Sequence, residues 1–340
     1  MSKTLRNFLL IGAAVFIAAV GGAYFGRTYT PTGQPQQPGA SDRRRPIIQI
    51  VRQQPGFPSL ADTISSLCPS IAAIVPSAGT GPTAAGFAIS PDGWVLASTA
   101  VLPTGDMEVH FGSGPAFPVT ETRSDPVSGL SIVKTGATGL TPVPLADQSF
   151  PRVGDFGFAI QDPAGAGCSA EAAMIASDFL TDGGAQNAYI RLQPMGAALP
   201  PGAPFISSTG QAIGVIAPSG PAFASIPADV VADIADELLR DTLSPTTHFG
   251  FRAEDFDTSL SNRLSGSRSS GTAVALVQPK TSAARAGLEA GDIVVAVDGS
   301  PVASASELGR ALDGAGKSVS MDVARGDQRL TLTVSRVPGS

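Results

Sequence analysis

Between Leu60 and Pro221 the chain is a string of short apolar segments. "SIAAIVP", "AGFAIS", "GWVLAS", "DMEVHFG", "LSIVKT", "GDFGFAI", "AAMIAS", "AYIRLQ" and "QAIGVIA" recur at intervals of about ten to twenty residues, separated by Gly, Pro, Ser and Asp. Segments of that length and spacing predict an all-β barrel or sandwich, because alternating parallel strands would need longer helical crossovers. Composition agrees: 39 Gly and 29 Pro with only 15% charged residues favour turns and short strands over long helices. At 340 residues the chain exceeds what one hydrophobic core usually supports, so at least two domains are expected.

A helical period first appears at "IPADVVADIADELLRDTL". Pro227 suits a helix start, and Val230, Val231, Ile234 and Leu238 share one face, so this helix is expected to close the domain against its barrel. A second module begins near Thr247. There "HFGF", "TAVALVQ", "DIVVAVDG", "SVSMDVARGD" and "RLTLTVSR" read as strands, "SAARAGL" as a short helix, and "SASELGRALDG" as a longer one. Ser304 and Glu307 have the spacing of a capping box, with Leu308 and Leu312 on one face behind it. Gly299 and Gly314 are expected at turn or helix-end positions with positive φ.

The N-terminus carries a different signal. Lys3 and Arg6 precede an uncharged run from Phe8 to Phe25, some eighteen residues or roughly 27 Å as a helix, close to the hydrocarbon thickness of a bilayer. The basic flank orients the rest of the chain outward. The run is longer than the apolar part of most signal peptides, which favours a retained anchor over a cleaved leader at Gly21-Gly22-Ala23. Residues 1–27 are therefore read as a cytoplasmic tip and transmembrane anchor. Residues 28–58, rich in Pro and Gln, are read as an extended linker in which Arg43-Arg44-Arg45 is a solvated basic cluster.

Several chemistries are excluded by scarcity. A net charge of −6 gives no footprint for nucleic acid. The two histidines and two cysteines are scattered singly, without metal-ligand spacing. No Gly-rich loop opening a helix cradles a phosphate, so neither metal nor cofactor is expected. His110 reads as an ordinary strand histidine, and Ser207 and Ser208, beside Gly210, as loop serines. Cys68 and Cys168 either pair, as an oxidising compartment would permit, or remain two separate thiols.

Three further segments carry a resemblance. "SAARAGLEAGDIVVAVDGSPV", "FASIPADVV" and "RVGDFGFAIQDP" resemble motifs of the HtrA/DegP family, in which a trypsin-like serine protease domain is followed by a PDZ domain. The resemblance implies a mainly β chain: a chymotrypsin-like double β-barrel over residues 59–245 and a small α+β PDZ domain over 246–337. The family's catalytic segments are similar to "STAV", "DPVSGLS" and "LPPGAPF" here. By that likeness Ala100 stands at the histidine position, Gly129 at the aspartate position and Pro201 at the nucleophile position, with Asp125 kept nearby. Alanine and glycine have no group to accept or orient a proton. Proline also lacks the backbone N–H that would serve as an oxyanion donor.

These substitutions lead to an expectation: a membrane-anchored, catalytically inactive adaptor of the bacterial inner membrane, with its bulk in the periplasm. Its partners would be C-terminal peptides or unfolded proteins. The resemblance places the peptide carboxylate at a loop formed by His248, Phe249, Gly250 and Phe251, with Leu308 and Leu312 shaping an apolar pocket. Two other readings stand beside it: a serine-type endopeptidase using unrecognised residues, and a structural subunit in a homo- or hetero-oligomer with an active relative.

Overall fold

The computed structural model describes residues 60–337 apart from 79–80, 82, 147–151, 164–166, 178–179, 183–184, 188, 197, 218–222 and 256–270. The expected anchor and linker lie outside the described residues. Among those described, no helix is long and apolar enough to cross a membrane.

Helix α1 (Leu60–Leu67) and a 3-10 turn lead into the first barrel. Its strands are β1 (Ile71–Pro76), β2 (Ala84–Ala88), β3 (Trp94–Ser98), β4 (Met107–Phe111), β5 (Ala116–Asp125) and β6 (Leu130–Thr135). They close antiparallel in the order β1-β2-β3-β6-β5-β4. β3 shows why these strands read as unbroken apolar runs. Side chains alternate between the two faces of a strand, and here both faces are buried. Val95 and Ala97 point into one core with Ala72, Ile74, Val109 and Val133. Leu96, between them, joins a different core with Phe87, Ile132 and Val231.

The second barrel repeats the device. Its strands are β7 (Phe156–Gln161) and β8 (Ser169–Ser177), then, after the small pair β9 (Leu180–Asp182) and β10 (Ala185–Asn187), β11 (Ile190–Pro194), β12 (Pro204–Ser207), β13 (Ala212–Ile216) and β14 (Ala224–Pro227). The closed order is β11-β14-β13-β12-β7-β8. Phe205 packs inside with Ile175, Leu192 and Ile213, while its neighbour Ile206 faces the shared core with Val215 and Ile226. Helix α2 (Ala228–Leu239) caps that shared core with Val230, Val231, Ile234 and Leu238, the face expected from its period. Burying each such aliphatic side chain contributes roughly 1.5–3 kcal/mol, which holds a helix too short to be stable alone. Cys68, in the turn before β1, is bonded to Cys168 beside β8, with Cα atoms 5.7 Å apart.

The second module is a sheet ordered β15-β16-β17-β19-β20, with β18 paired to β17. Its strands are β15 (Phe251–Asp255), β16 (Thr272–Val277), β17 (Ile293–Val297), β18 (Ser300–Pro301), β19 (Ser318–Arg325) and β20 (Gln328–Ser335). Helices α3 (Ser282–Ala286) and α4 (Ala305–Asp313) pack on it. The capping box of α4 is half displaced. Ser304 Oγ accepts from the Glu307 N–H at 3.2 Å, but Glu307 Oε2 accepts from Ala303 N–H at 2.8 Å, one residue before the usual donor. Gly314 corrects an expectation: its φ is −76°, because its N–H bonds back to Arg310 and Leu312 and keeps the last turn right-handed. Gly299 does take positive φ, at 76°.

Candidate functional site

The first candidate lies where β3 ends. The chain passes into the 3-10 turn Thr99–Val101, which leaves Ala100 exposed. The Thr99 N–H donates to the Gly129 carbonyl at 2.8 Å, and the Gly129 N–H donates to the Asp125 carbonyl at 3.0 Å. Pro201 begins the turn before β12. The next residue, Gly202, lies so close to β3 that a Cβ would come within 2.5 Å of the Ser98 nitrogen and 2.8 Å of the Ala85 carbonyl oxygen. Ala100, Gly129 and Pro201 are therefore gathered through their immediate neighbours, although they lie far apart in sequence.

Hydroxyl groups surround them. Thr99 Oγ1 is 2.7 Å from Ser131 Oγ, which is 2.6 Å from Ser124 Oγ. Ser98 is wholly buried, and its Oγ makes no hydrogen bond among the described residues. A hydroxyl becomes a nucleophile when a base removes its proton. Both histidines of the chain are placed elsewhere: His110 Nε2 is 3.0 Å from Glu108 Oε1 on β4, and His248 lies in the 3-10 turn Pro245–Phe249 of the second module. Ser207 ends β12 with its Oγ 2.7 Å from Thr209 Oγ1, and Ser208 is exposed.

Asp125, wholly buried, anchors the turn that carries Gly129. Its Oδ2 accepts from Ser128 N–H at 2.8 Å and from Arg252 Nε at 2.9 Å. Arg252 comes from β15 of the second module and also donates from Nη2 to Glu237 Oε2 on α2, at 2.9 Å. One guanidinium thus joins the barrel turn, the closing helix and the second module. Arg252 is only 5% exposed. Burial opposes its charge, but the Asp125 carboxylate and then Glu237 outweigh that and hold its pKa above the ordinary value. Tyr189 is pushed up to about 12, first by burial and then by the charge of Asp125. Sequence reasoning kept Asp125 only by resemblance and missed Arg252. The available signal was an arginine placed directly after the apolar "HFGF".

The second candidate is a cavity of about 670 Å³ beside β15, between α4 and α2. Four successive β15 residues, Arg252 to Asp255, line it, with Ala305 and Gly309 across from them on α4. Among the described residues β15 pairs only with β16 and is the first strand of the sheet. Asp255 Oδ1 accepts the Ala305 N–H and fixes the far end of the groove to the start of α4. On the α2 side, the Asp233 pKa is pushed up to about 6 by burial, then by Glu237, Asp229 and Asp236, while Arg252 pulls it the other way.

The expected carboxylate loop is built differently. The Gly250 N–H already donates to the Thr247 carbonyl at 3.0 Å, so it is not free to hold a ligand. Gly250 sits at φ 83°, and its missing Cβ would meet Thr281 side-chain atoms at 2.6–2.8 Å. Its need for glycine is therefore internal to the module. Phe249, Phe251, Leu308 and Leu312 are wholly buried together in the module's core. Leu308 and Leu312, expected beside a peptide, belong to that core, and small and charged residues line the cavity.

Comparison with known proteins gives the family. The model described as a trypsin-like peptidase domain matches residues 84–215, and that described as a PDZ domain matches residues 274–325. The putative serine protease HhoA of Synechocystis sp. is 29% identical over 272 residues, 73% of this chain and 69% of that protein. A probable periplasmic serine endoprotease, DegP-like, of Halomonas elongata is 28% identical over 74% of this chain and 55% of its own length. A probable periplasmic serine protease do/HhoA-like of Haemophilus influenzae is 28% identical over 68% and 53%. The chain thus spans from about half to about two thirds of these relatives. The crystal structure of the serine endoprotease from Yersinia pestis superposes with a TM-score of 0.50 at 18% identity, covering 83% of this chain and 98% of that one, a likeness of fold. These names overturn the expectation of an inactive adaptor that is no enzyme: each relative is named a serine protease or endoprotease, and the model over the barrels is that of a peptidase.

Proposed function

Because the chain belongs to the HtrA-type family, a trypsin-like peptidase domain joined to a PDZ domain, we propose that it acts in serine endoproteolysis in the periplasm, holding extended segments of its substrates on the PDZ module. The observation that carries this reading is the cavity beside β15, which among the described residues ends the sheet and pairs with β16 alone, in a chain whose barrels match a peptidase model. An extended peptide entering the groove would continue the sheet, its backbone bonding to Arg252–Asp255 and its side chains alternating between α4 and solvent. The word "periplasmic" in the names of two relatives supports the compartment. The run Phe8–Phe25 supports a single inner-membrane anchor, with the two domains bounded at 59–245 and 246–337.

Ala100, Gly129 and Pro201, read as the equivalents of the catalytic histidine, aspartate and serine, carry no nucleophile or base. Bond cleavage in this reading therefore uses another serine or threonine of the chain. A second reading has the chain assembling with an active relative that supplies the reacting groups. The placement of both histidines away from the Thr99–Ser131–Ser124 hydroxyls favours it. The test is degradation of unfolded casein by the full chain, alone and mixed with an active HtrA-type protease, with a serine-directed fluorophosphonate in parallel. Cleavage by the chain alone, with label on one serine, supports the first reading. A faster mixture that co-elutes, without label on this chain, supports the second. Unchanged casein alone and an unaccelerated mixture would sink both.

A further inference from the structure

The polypeptide enters the first barrel through α1 and the 3-10 turn Cys68–Ser70. Of the eight residues of α1 only Thr63 and Leu67 are buried. Leu67 joins the core shared by the barrels, with Ile64 packed partly against it. Thr63 works against this seat, because its Oγ1 is buried without a hydrogen-bond partner among the described residues. Eight residues are also too few for a helix to persist on its own. One aliphatic side chain and part of another offset little of the entropy lost on ordering two turns of chain.

Both neighbours of this element are held firmly. Beyond the turn, Ile71, Ala72, Ala73 and Ile74 are wholly buried, and β1 pairs with both β2 and β4. Across the bridge, Cys168 directly precedes β8, whose first residue, Ser169, pairs with Gln161 on β7. Gly167, on its other side, donates its N–H to the buried Asp162 carboxylate at 3.0 Å. The Cys68–Cys168 bond therefore runs from a fixed point on barrel two to the boundary between a weak element and a strong one. Both cysteines are only half-buried, which admits a small thiol reductant.

From this arrangement we infer that the bridge is a thiol-sensitive latch. Closed, it seats α1 on the barrels; opened, it releases α1 and the turn while both barrels stay folded. A dithiol reductant opens it. One of its thiolates attacks a bridge sulfur and displaces the other cysteine, and its second thiolate then breaks the mixed disulfide. Two electrons pass from the dithiol, which ends as its own disulfide. Each displaced cysteine thiolate takes up a proton that the reductant gave up, so both end as thiols. The latch governs the junction through which residues 1–59 join the barrels. It is shut in an oxidising compartment and open in a reducing one.

The test is amide hydrogen exchange on the full chain, oxidised and after dithiothreitol, read by mass spectrometry. Reduction should speed exchange in residues 61–70 by about tenfold or more, while β1 and β8 stay slow. A Cys68→Ser/Cys168→Ser variant without reductant should reproduce the reduced pattern, which separates the bond from other effects of the thiol. In the reduced protein Thr63→Val should slow that exchange again, since it removes the unpartnered hydroxyl. Unchanged exchange in 61–70 on reduction, or a serine variant that behaves like the oxidised parent, overturns the inference, because α1 then seats without the bond. Exchange that rises equally in α1, β1 and β8 overturns it too, since the bond would then hold the whole fold. Thr63→Val that exchanges as fast as the reduced parent does the same, by removing the weak seat on which the latch depends.

Discussion

The two candidate regions differ in kind. The cleft at the end of β3 is assembled from backbone and hydroxyls: Gly202 sits where neighbouring chain leaves no room for a side chain, and Gly129 turns at φ 69° with its N–H on the Asp125 carbonyl. The groove beside β15 is open and dense in charge, and it is wired to the barrels through Arg252. Close packing of the first kind fixes backbone positions to within a few tenths of an ångström. A charged cavity is tuned by salt and pH instead. One molecule thus pairs a rigid region whose chemistry is spare with a responsive one whose chemistry is abundant.

Breaking the wiring should have the largest effect. Asp125→Ala leaves the Arg252 guanidinium buried without its main partner, and denaturant unfolding should show a loss of about 3–5 kcal/mol. The double variant Asp125→Ala/Arg252→Ala should lose clearly less than the sum of the two single changes. Simple additivity would mean that the pair does not join the regions energetically. In the cleft, Gly202→Ala places a methyl against the Ser98 nitrogen at a backbone angle of φ 84°, and the same titration should register about 2–4 kcal/mol. A loss under about 0.5 kcal/mol would show that the cleft is not rigidly packed.

Smaller effects sharpen the contrast. Asp233 has a folded-state pKa of about 6 against an ordinary 3.8, so the native state holds this proton more firmly than the unfolded chain. Its contribution is present below about pH 4 and is lost as pH rises through 6. Asp233→Asn should therefore gain over the parent between pH 4 and 6 and hold that gain above pH 6, by under about 1 kcal/mol, because the cavity walls desolvate the carboxyl while solvent still reaches it and screens the charge. Thermal melts across that range test it, and a gap that closes with rising pH would contradict the assignment. Least of all, Ala100→His on the exposed turn should change stability by under about 0.5 kcal/mol. A larger shift in the melt would mean that the turn is packed rather than open.

The strands, the closing helix and the module order were legible because each rests on a local pattern. β3 shows its apolar run directly, and α2 shows Val230, Val231, Ile234 and Leu238 at helical spacing. The site was less legible because its parts are distant in sequence. Arg252 meets Asp125 across 127 positions, and no local period predicts that pairing. The acidic face of α2 reads as ordinary solvated surface until the module's position turns it into a wall. Leu308 and Leu312 were visible as a helical face, but a face alone does not tell whether it meets a ligand or its own sheet. Gly314 failed for a similar reason, since glycine permits positive φ without requiring it.

The bridge between Cys68 and Cys168 spans 100 positions and encloses all six strands of the first barrel. Topologically that barrel is a covalent ring rather than a segment with two ends. A protease that cuts once anywhere on the ring opens a loop but liberates no fragment, and the two pieces travel as one mass until the sulfurs are reduced. The first barrel is thereby held in a form that survives a single nick.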